Sequence, residues 1–527
     1  MKGTQPVRRS GGRLLPTALL LTAAALLGLA AAANPDRFNP DAVAYLTLAR
    51  HWREGAWDLA TSGYWGPLLP WMVAALLPLT GDLLAAARLA MAASALVFLG
   101  GGLALLRATG LPAAAQAVGG LCLMGFALAW SIQIITPDLL VSGLLLAGLA
   151  AALRPGWPRR LAGQALAGLL LGLAYYAKAV ALPLGLGLLV LCGLWHMVAW
   201  RAGWRGAWAA LRSGVVMLLV AAPWIGLLSA QYSKPSFGTS GALNLAIAGP
   251  SYVAAAGDRF DPHHPAFTSF HAPRGGRVTA WEEPTEMAYV SWTPWADAAS
   301  LRHFGRLIRY NAELSLRTLR GFDAFGLGLA ALLLAPLAAV AGAQPWRMAV
   351  LPAAMVAAIY LPVLSNGEPR YLMLAYPLMF AAAAGIAFTL AGEGAWQGLR
   401  RALAALLLLV AFLLPLRHDV AVALLGRPNP ALLAAREVAA AMQAQDVPGG
   451  VASVGELGFA AIFTAFLAER PFLGTEAALP PRERLAALQA GVLLVAPGGA
   501  ADRALQAEPG AARLLPPGPT VAAWRLR

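Results

Sequence analysis

Between residues 14 and 33 the chain reads LLPTALLLTAAALLGLAAAA, twenty residues without a charge. As a helix this stretch would rise about 30 Å, the thickness of a bilayer's hydrocarbon layer. Ten further apolar runs of roughly spanning length follow, near 84–106, 112–133, 138–153, 161–177, 179–200, 213–230, 323–343, 347–364, 371–391 and 401–416. A chain that is 59% hydrophobic and 12% charged cannot hide so many runs in a water-soluble core. The expectation is an all-α polytopic membrane protein of about eleven transmembrane helices. The same runs exclude a strand-built outer-membrane barrel, whose spans are shorter and alternate in polarity.

The basic residues assign sides. Lys2, Arg8, Arg9 and Arg13 precede the first run, so its amino end is expected in the cytoplasm. Threading the runs alternately then places Arg107, then Arg154, Arg159 and Arg160, then Arg201, Arg205 and Arg212, then Arg347, and finally Arg400 and Arg401 on the same inner side. Every inner connection is therefore basic. The residues AAAN after the first run resemble a signal-peptide cleavage site, although a twenty-residue run exceeds the usual apolar core of a signal. With either reading residue 34 emerges outside. The net charge of +14 thus reports topology and gives no case for a nucleic-acid partner. Cys122 and Cys192 lie within apolar runs, where a thiol behaves as a small hydrophobe.

Residues 1–416 read as a transmembrane domain with outer loops at 34–83 and 231–322, and residues 417–527 as a small extracytoplasmic α/β domain. In the latter, GGVASVG, AGVLLVAPGG and TVAAWRL read as strands and ALLAAREVAAAMQAQ as an amphipathic helix. The stretch GPLLPWMVAALLPL (66–79) is short and proline-rich, and is expected to lie in or dip into the outer interface. Trp52, Trp57, Tyr64, Trp65 and Trp71 around it suit an aromatic belt. Helical spacing of Arg302, Arg306, Arg309, Arg317 and Arg320 reads as an interfacial helix over lipid head groups, a share in phosphate binding being the alternative. No internal repeat is evident.

An ionisable group at the edge of hydrocarbon is costly and tends to be kept for function. By the topology above, six such groups face outside: Asp36 and Asp41 after the first run, Asp138 in IITPDLL, Lys178 in GLAYYAKAVALP, and Glu368 and Arg370 in SNGEPRYLMLAYP. Each has a structural explanation. Asp41 could cap a helix beginning at Ala42, and Asp138 could complement a helix dipole. Lys178 could snorkel, Arg370 and Tyr371 could anchor the boundary, and Asp36 reads as a loop carboxylate. Their joint appearance at one interface favours a site. His263 and His264, with Asp258 and Asp261 nearby, raise the question of a metal, but adjacent histidines point apart and a surface loop accounts for them.

In their order along the chain, DAVAYLTLARHW, YWGPLLPW, the arginine of AARLAMAASAL, TPDLL, GLLLGLAYYAKAVALP and EPRYLMLAYPLM resemble the GT-C superfamily of integral membrane glycosyltransferases. The likeness is to the branch of aminoarabinose transferases, protein O-mannosyltransferases and dolichyl-phosphate-mannose-protein mannosyltransferase-like proteins, and covers about residues 10–415. Many relatives carry Asp-Glu in the first loop. Here Asp41 is followed by Ala42, so a role carried by that Glu is absent or met elsewhere.

The resemblance implies a bacterial plasma-membrane protein that moves a sugar from a polyprenyl-phosphate donor to a hydroxyl of a lipid, glycan or protein acceptor on the outer face. It implies Asp41 as general base and Lys178 and Arg370 as the cations receiving the donor phosphate, with Asp138, Glu368, Tyr371, Tyr45 and Asp36 as further candidates. The chemistry suits these types. A carboxylate can take the acceptor proton, and a phosphate leaving group wants positive charge rather than a proton donor. One base and a direct displacement imply inversion. Some members of the superfamily use a divalent cation and others none, so the cofactor stays open. Two rivals remain: a transporter or flippase of lipid-linked saccharides, against which stands the lack of repeats, and a non-catalytic envelope assembly subunit.

Overall fold

Inside a bilayer no water satisfies backbone N–H and C=O groups, so an apolar run must satisfy them within itself. The apolar runs are accordingly helical, at Leu14–Ala33, Leu83–Ala108, Ala113–Gln133, Asp138–Ala152, Leu161–Ala177, Ala181–Val198, Trp204–Gln231, Leu327–Ala339, Val350–Tyr360, Ala375–Leu390 and Gln397–Leu413. The computed structural model describes residues 14–257, 260, 267–339, 344–363, 367–516, 518 and 520–526. Among them six helical stretches are long and apolar enough to cross a membrane, and the rest are shorter apolar helices. Asp258, Asp261, His263 and His264 lie outside the described residues.

Small residues bring the helices together. A Cβ on Gly101 would sit 2.2 Å from the Gly143 carbonyl oxygen, and one on Gly143 would sit 2.6 Å from the Phe98 nitrogen. Helices Leu83–Ala108 and Asp138–Ala152 therefore meet backbone to backbone, the kind of contact that drives association where lipid is as apolar as the side chains. Helix Leu68–Thr80, on the stretch read as interfacial, packs against Leu83–Ala108 and Pro40–Glu54. Helix Ala298–Arg320 is amphipathic as expected. It buries His303, Leu307, Asn311, Ser315 and Leu319 and exposes Arg302, Arg306, Arg309, Arg317 and Arg320.

The carboxy-terminal sheet has five strands, β1 (Gly450–Val454), β2 (Phe472–Glu476), β3 (Ala490–Val495), β4 (Ala511–Arg513) and β5 (Ala522–Leu526), in the order β2-β1-β3-β5-β4. Strand β1 is parallel to β2 and β3, whereas β5 runs antiparallel to β3 and β4. Strands β1 and β3 are buried throughout, which is why they read as continuous apolar runs. Helix Pro430–Ala444 packs on helix Gly458–Ala468 beside the sheet.

This unit is fastened to the end of the bundle. Asn34 Nδ2 donates to the Ala423 carbonyl at 2.7 Å, and the Phe38 ring packs edge-on against Phe463 and Phe466. From the long loop, His271 N donates to Leu473 O at 2.7 Å, and Val278 O accepts from Phe472 N at 2.6 Å. The first loop, the long loop and the sheet thus share one end of the molecule.

Candidate active site

Helix Pro40–Glu54 follows the first membrane helix after a six-residue turn. Pro40 at its first position sets φ in advance, and Asn39 is the extended N-cap. The helix therefore starts two residues earlier than a cap at Asp41 would require. The Asn39 side chain accepts from Ile135 N at 2.8 Å, which ties the helix start to the segment leading into Asp138. Asp41 lies in the first turn, where a carboxylate also meets the positive end of the helix dipole.

Asp41 Oδ2 lies 2.5 Å from Arg370 Nη1, across 329 residues of sequence. Its other oxygen accepts from Trp281 Nε1 at 3.3 Å. Arg370 arrives on the short 3-10 turn Pro369–Leu372, with its Nε paired to Glu368 and its Nη2 donating to Tyr371 Oη at 3.3 Å. Nη1 and Nη2 of this guanidinium thus make hydrogen bonds, whereas Nε meets Glu368 as an ion pair without hydrogen-bond geometry. Neither partner of the central pair is sealed, Arg370 being 11% and Asp41 18% exposed at the side chain.

A second pair adjoins the first. Lys178 Nζ donates to Asp138 Oδ1 at 2.7 Å. Asp138 opens helix Asp138–Ala152, and Lys178 sits in the break between Leu161–Ala177 and Ala181–Val198. That break is held by a close approach: a Cβ on Gly66 would lie 2.2 Å from the Ala177 carbonyl oxygen, so only glycine fits there. The Tyr371 ring links the pairs, with Lys178 Nζ 4.6 Å and the Arg370 guanidinium carbon 5.1 Å from its centre. Tyr45 packs its buried ring edge-on against Trp65 at 4.7 Å.

Asp41, Asp138, Lys178, Glu368, Arg370 and Tyr371 are therefore brought into one cluster, with Tyr45 one helical turn beyond Asp41. Asp36 is directed elsewhere and pairs with Arg436 at 2.5 Å on helix Pro430–Ala444. A cavity of about 540 Å³, lined by Leu479, Pro480, Arg482, Leu485, Leu505 and Leu526 among others, opens beside the sheet and shares no residue with the cluster.

Sequence reasoning assigned no role to the segment Arg277–Glu286. Glu282 is fully buried, accepts from His51 Nε2 at 3.1 Å and from the Val278 and Thr279 backbone nitrogens at 2.7 and 3.0 Å, and has Arg277 within 3.8 Å. Glu283 accepts from Gly63 N and Tyr232 Oη at 3.2 and 3.0 Å. Trp65 Nε1 donates to the Trp281 carbonyl at 2.7 Å. The loop is thereby fastened on both sides of Trp281, whose indole reaches Asp41. Replacing Glu282 by Ala leaves His51 and two backbone donors without their acceptor. It is expected to destabilise the protein by about 3 kcal/mol, read as a lower thermal midpoint of the purified protein.

The cluster carries three carboxylates against two cations, and both cations already have carboxylate partners. The Glu368 carboxyl is pushed above the usual range, chiefly by burial; Arg370 and Lys178 pull it down while Asp41 and Asp138 push it up further. Among the described residues no group of three or more His, Cys, Asp or Glu is placed to hold a metal ion. What the arrangement offers is a partly open carboxylate at the mouth of the bundle, beside two cations able to take an anion.

An apolar helical bundle joined to a small five-stranded sheet at one end is a fold that this chain shares with solved structures. Solved structures that share it include ArnT from Cupriavidus metallidurans bound to undecaprenyl phosphate, with a TM-score of 0.55 and 18% identity over 98% of this chain and 98% of that one. The same protein in the apo state gives a TM-score of 0.56 at 16% identity, again over 98% of each chain. The archaeal oligosaccharyltransferase AglB from Archaeoglobus fulgidus, in complex with an inhibitory peptide and a dolichol-phosphate, gives 0.55 at 12% identity over 93% of this chain and 70% of that one. No family model matches the sequence, and no curated protein matches it.

Proposed function

We propose that the protein is a membrane glycosyltransferase that moves a sugar from a polyprenyl-phosphate-linked donor to an acceptor hydroxyl, with Asp41 as general base. The observation that carries this reading is the contact of Asp41 with Arg370, with the Lys178–Asp138 pair beside it. A proton acceptor at Asp41 would stand within reach of the cations that a departing lipid phosphate needs, which supports the reading. Two proteins of the same fold support the donor class, one bound to undecaprenyl phosphate and the other to a dolichol-phosphate.

The roles follow from charge. Asp41 takes the acceptor's proton as that oxygen attacks the anomeric carbon, and the donor's phosphate leaves with the bonding electrons. Arg370, with a planar fork, and Lys178, with a compact ammonium, stabilise the negative charge growing on the phosphate. The Tyr371 ring keeps the two cations together, and Trp281 fixes the orientation of Asp41. A single displacement inverts the anomeric centre. In this reading the site and residues 417–527 lie outside a bacterial plasma membrane, consistent with the basic inner connections.

The test is transfer by protein purified into lipid nanodiscs, given radiolabelled polyprenyl-phosphate sugars and hydroxyl acceptors. Transfer with inverted anomeric configuration, read by NMR of the product, is expected. Retention of configuration would overturn the direct displacement. Movement of lipid-linked sugar across a vesicle without transfer would favour the transporter instead.

A further inference from the structure

A lipid phosphate diester brings a fourth anion to a site that holds two cations. Arg370 is paired with both Asp41 and Glu368, and Lys178 is paired with Asp138. Like charges crowded into a partly buried site cannot all stay ionised at no cost. One carboxylate must therefore give up its cation or its charge before the phosphate can settle. Asp138 is 3% exposed and is held by Lys178. Asp41 carries a second hydrogen bond, from Trp281, and is needed as the base. Glu368, 42% exposed at its side chain against 18% for Asp41 and 3% for Asp138, lies on the turn just before Pro369 and pairs with the guanidinium at Nε.

We propose that Glu368 is a stand-in for the donor phosphate: it holds the Arg370 guanidinium aligned when no donor is bound and yields that position, with loss of its charge, when the lipid phosphate arrives. The ligand in this statement rests on the function proposed above. Among the described residues the groups facing Glu368 include Arg370 and Tyr371 on its own turn, Asp41 from helix Pro40–Glu54, Asp138 from helix Asp138–Ala152 and Lys178 from the break beside it, while helix Val350–Tyr360 packs Tyr360 on the Tyr371 ring. Burial, together with Asp41 and Asp138, raises the Glu368 carboxyl, so it takes a proton more readily than an ordinary glutamate. The sign follows. As pH falls through that raised value the competing charge disappears, and affinity for an anion on Arg370 rises.

The experiment uses a synthetic polyprenyl ethyl phosphate, a diester whose single charge does not change between about pH 5 and 8 and which cannot transfer a sugar. Its binding to wild-type protein and to Glu368→Gln in nanodiscs is titrated across that range. Expected is a wild-type affinity that rises on acidification, and a variant that binds about tenfold tighter near neutral pH with a flat profile. Equal, pH-independent binding by the two proteins overturns the stand-in while leaving the glycosyltransferase reading intact. Weaker binding by Glu368→Gln also overturns it, and makes Glu368 an organiser of Arg370 instead. Should neither protein bind the diester at any pH, the lipid-phosphate donor falls together with the stand-in. The wild-type profile decides by itself if the variant does not fold.

Discussion

Asp41→Asn is expected to lower sugar transfer by about 10²–10⁴-fold while binding of a lipid phosphate persists. The amide has the shape of the carboxylate and can still accept from the Trp281 indole, so the helix start and the Arg277–Glu286 loop keep their positions. What it loses is the ability to take a proton. It also relieves Arg370 of one of two carboxylate partners, so an incoming phosphate meets a freer guanidinium. Binding therefore holds or tightens as turnover collapses, a combination that a purely structural role cannot produce. If Asp41 served only to balance Arg370, the variant would show a lower thermal midpoint but near wild-type transfer per folded molecule. Single-turnover transfer and diester titration on the same preparation distinguish the two.

Much of the fold was legible because a membrane simplifies the code. An uncharged run such as Leu14–Ala33 has no soluble alternative, and basic connections such as Arg154 to Arg160 label its side. Strands β1, β3 and β5 were visible as apolar runs between turn residues, but β2 was not. Its sequence FLGTE is broken by Gly474 at φ 106°, where Ser269 and Phe270 of the long loop pack against it. Strand β4 is three residues long and carries no readable period.

The site was legible only as a list of charges on one side. Which charges meet depends on contacts across hundreds of residues, such as that between Asp41 and Arg370, and periodicity says nothing about those. Asp36 and Asp41 lie in the same loop region, yet the structure sends the first to Arg436 and the second to Arg370. The segment Arg277–Glu286 had no local signal either. Glu282 and Glu283 look like surface charges in sequence and become buried acceptors only because His51, Gly63 and Tyr232 arrive from elsewhere.

Arg370→Lys is expected to cost about 10²–10³-fold in kcat/KM although it conserves the charge. The guanidinium holds Asp41, Glu368 and Tyr371 through three separate nitrogens. A lysine ammonium is one point on a flexible stem and cannot meet all three while also receiving a phosphate. Arg370→Ala goes further, leaving Asp41 and Glu368 without their shared cation and the donor phosphate without its fork of N–H donors. The alanine variant should therefore lose diester binding and transfer together, in contrast to Asp41→Asn, which loses transfer alone. Because base and cation act as a unit, the double variant Asp41→Asn with Arg370→Ala should transfer little worse than Arg370→Ala by itself. Arg370→Lys within tenfold of wild type in both readouts would mean that the fork geometry is not used, and the phosphate would then have to be assigned to Lys178 and its neighbours.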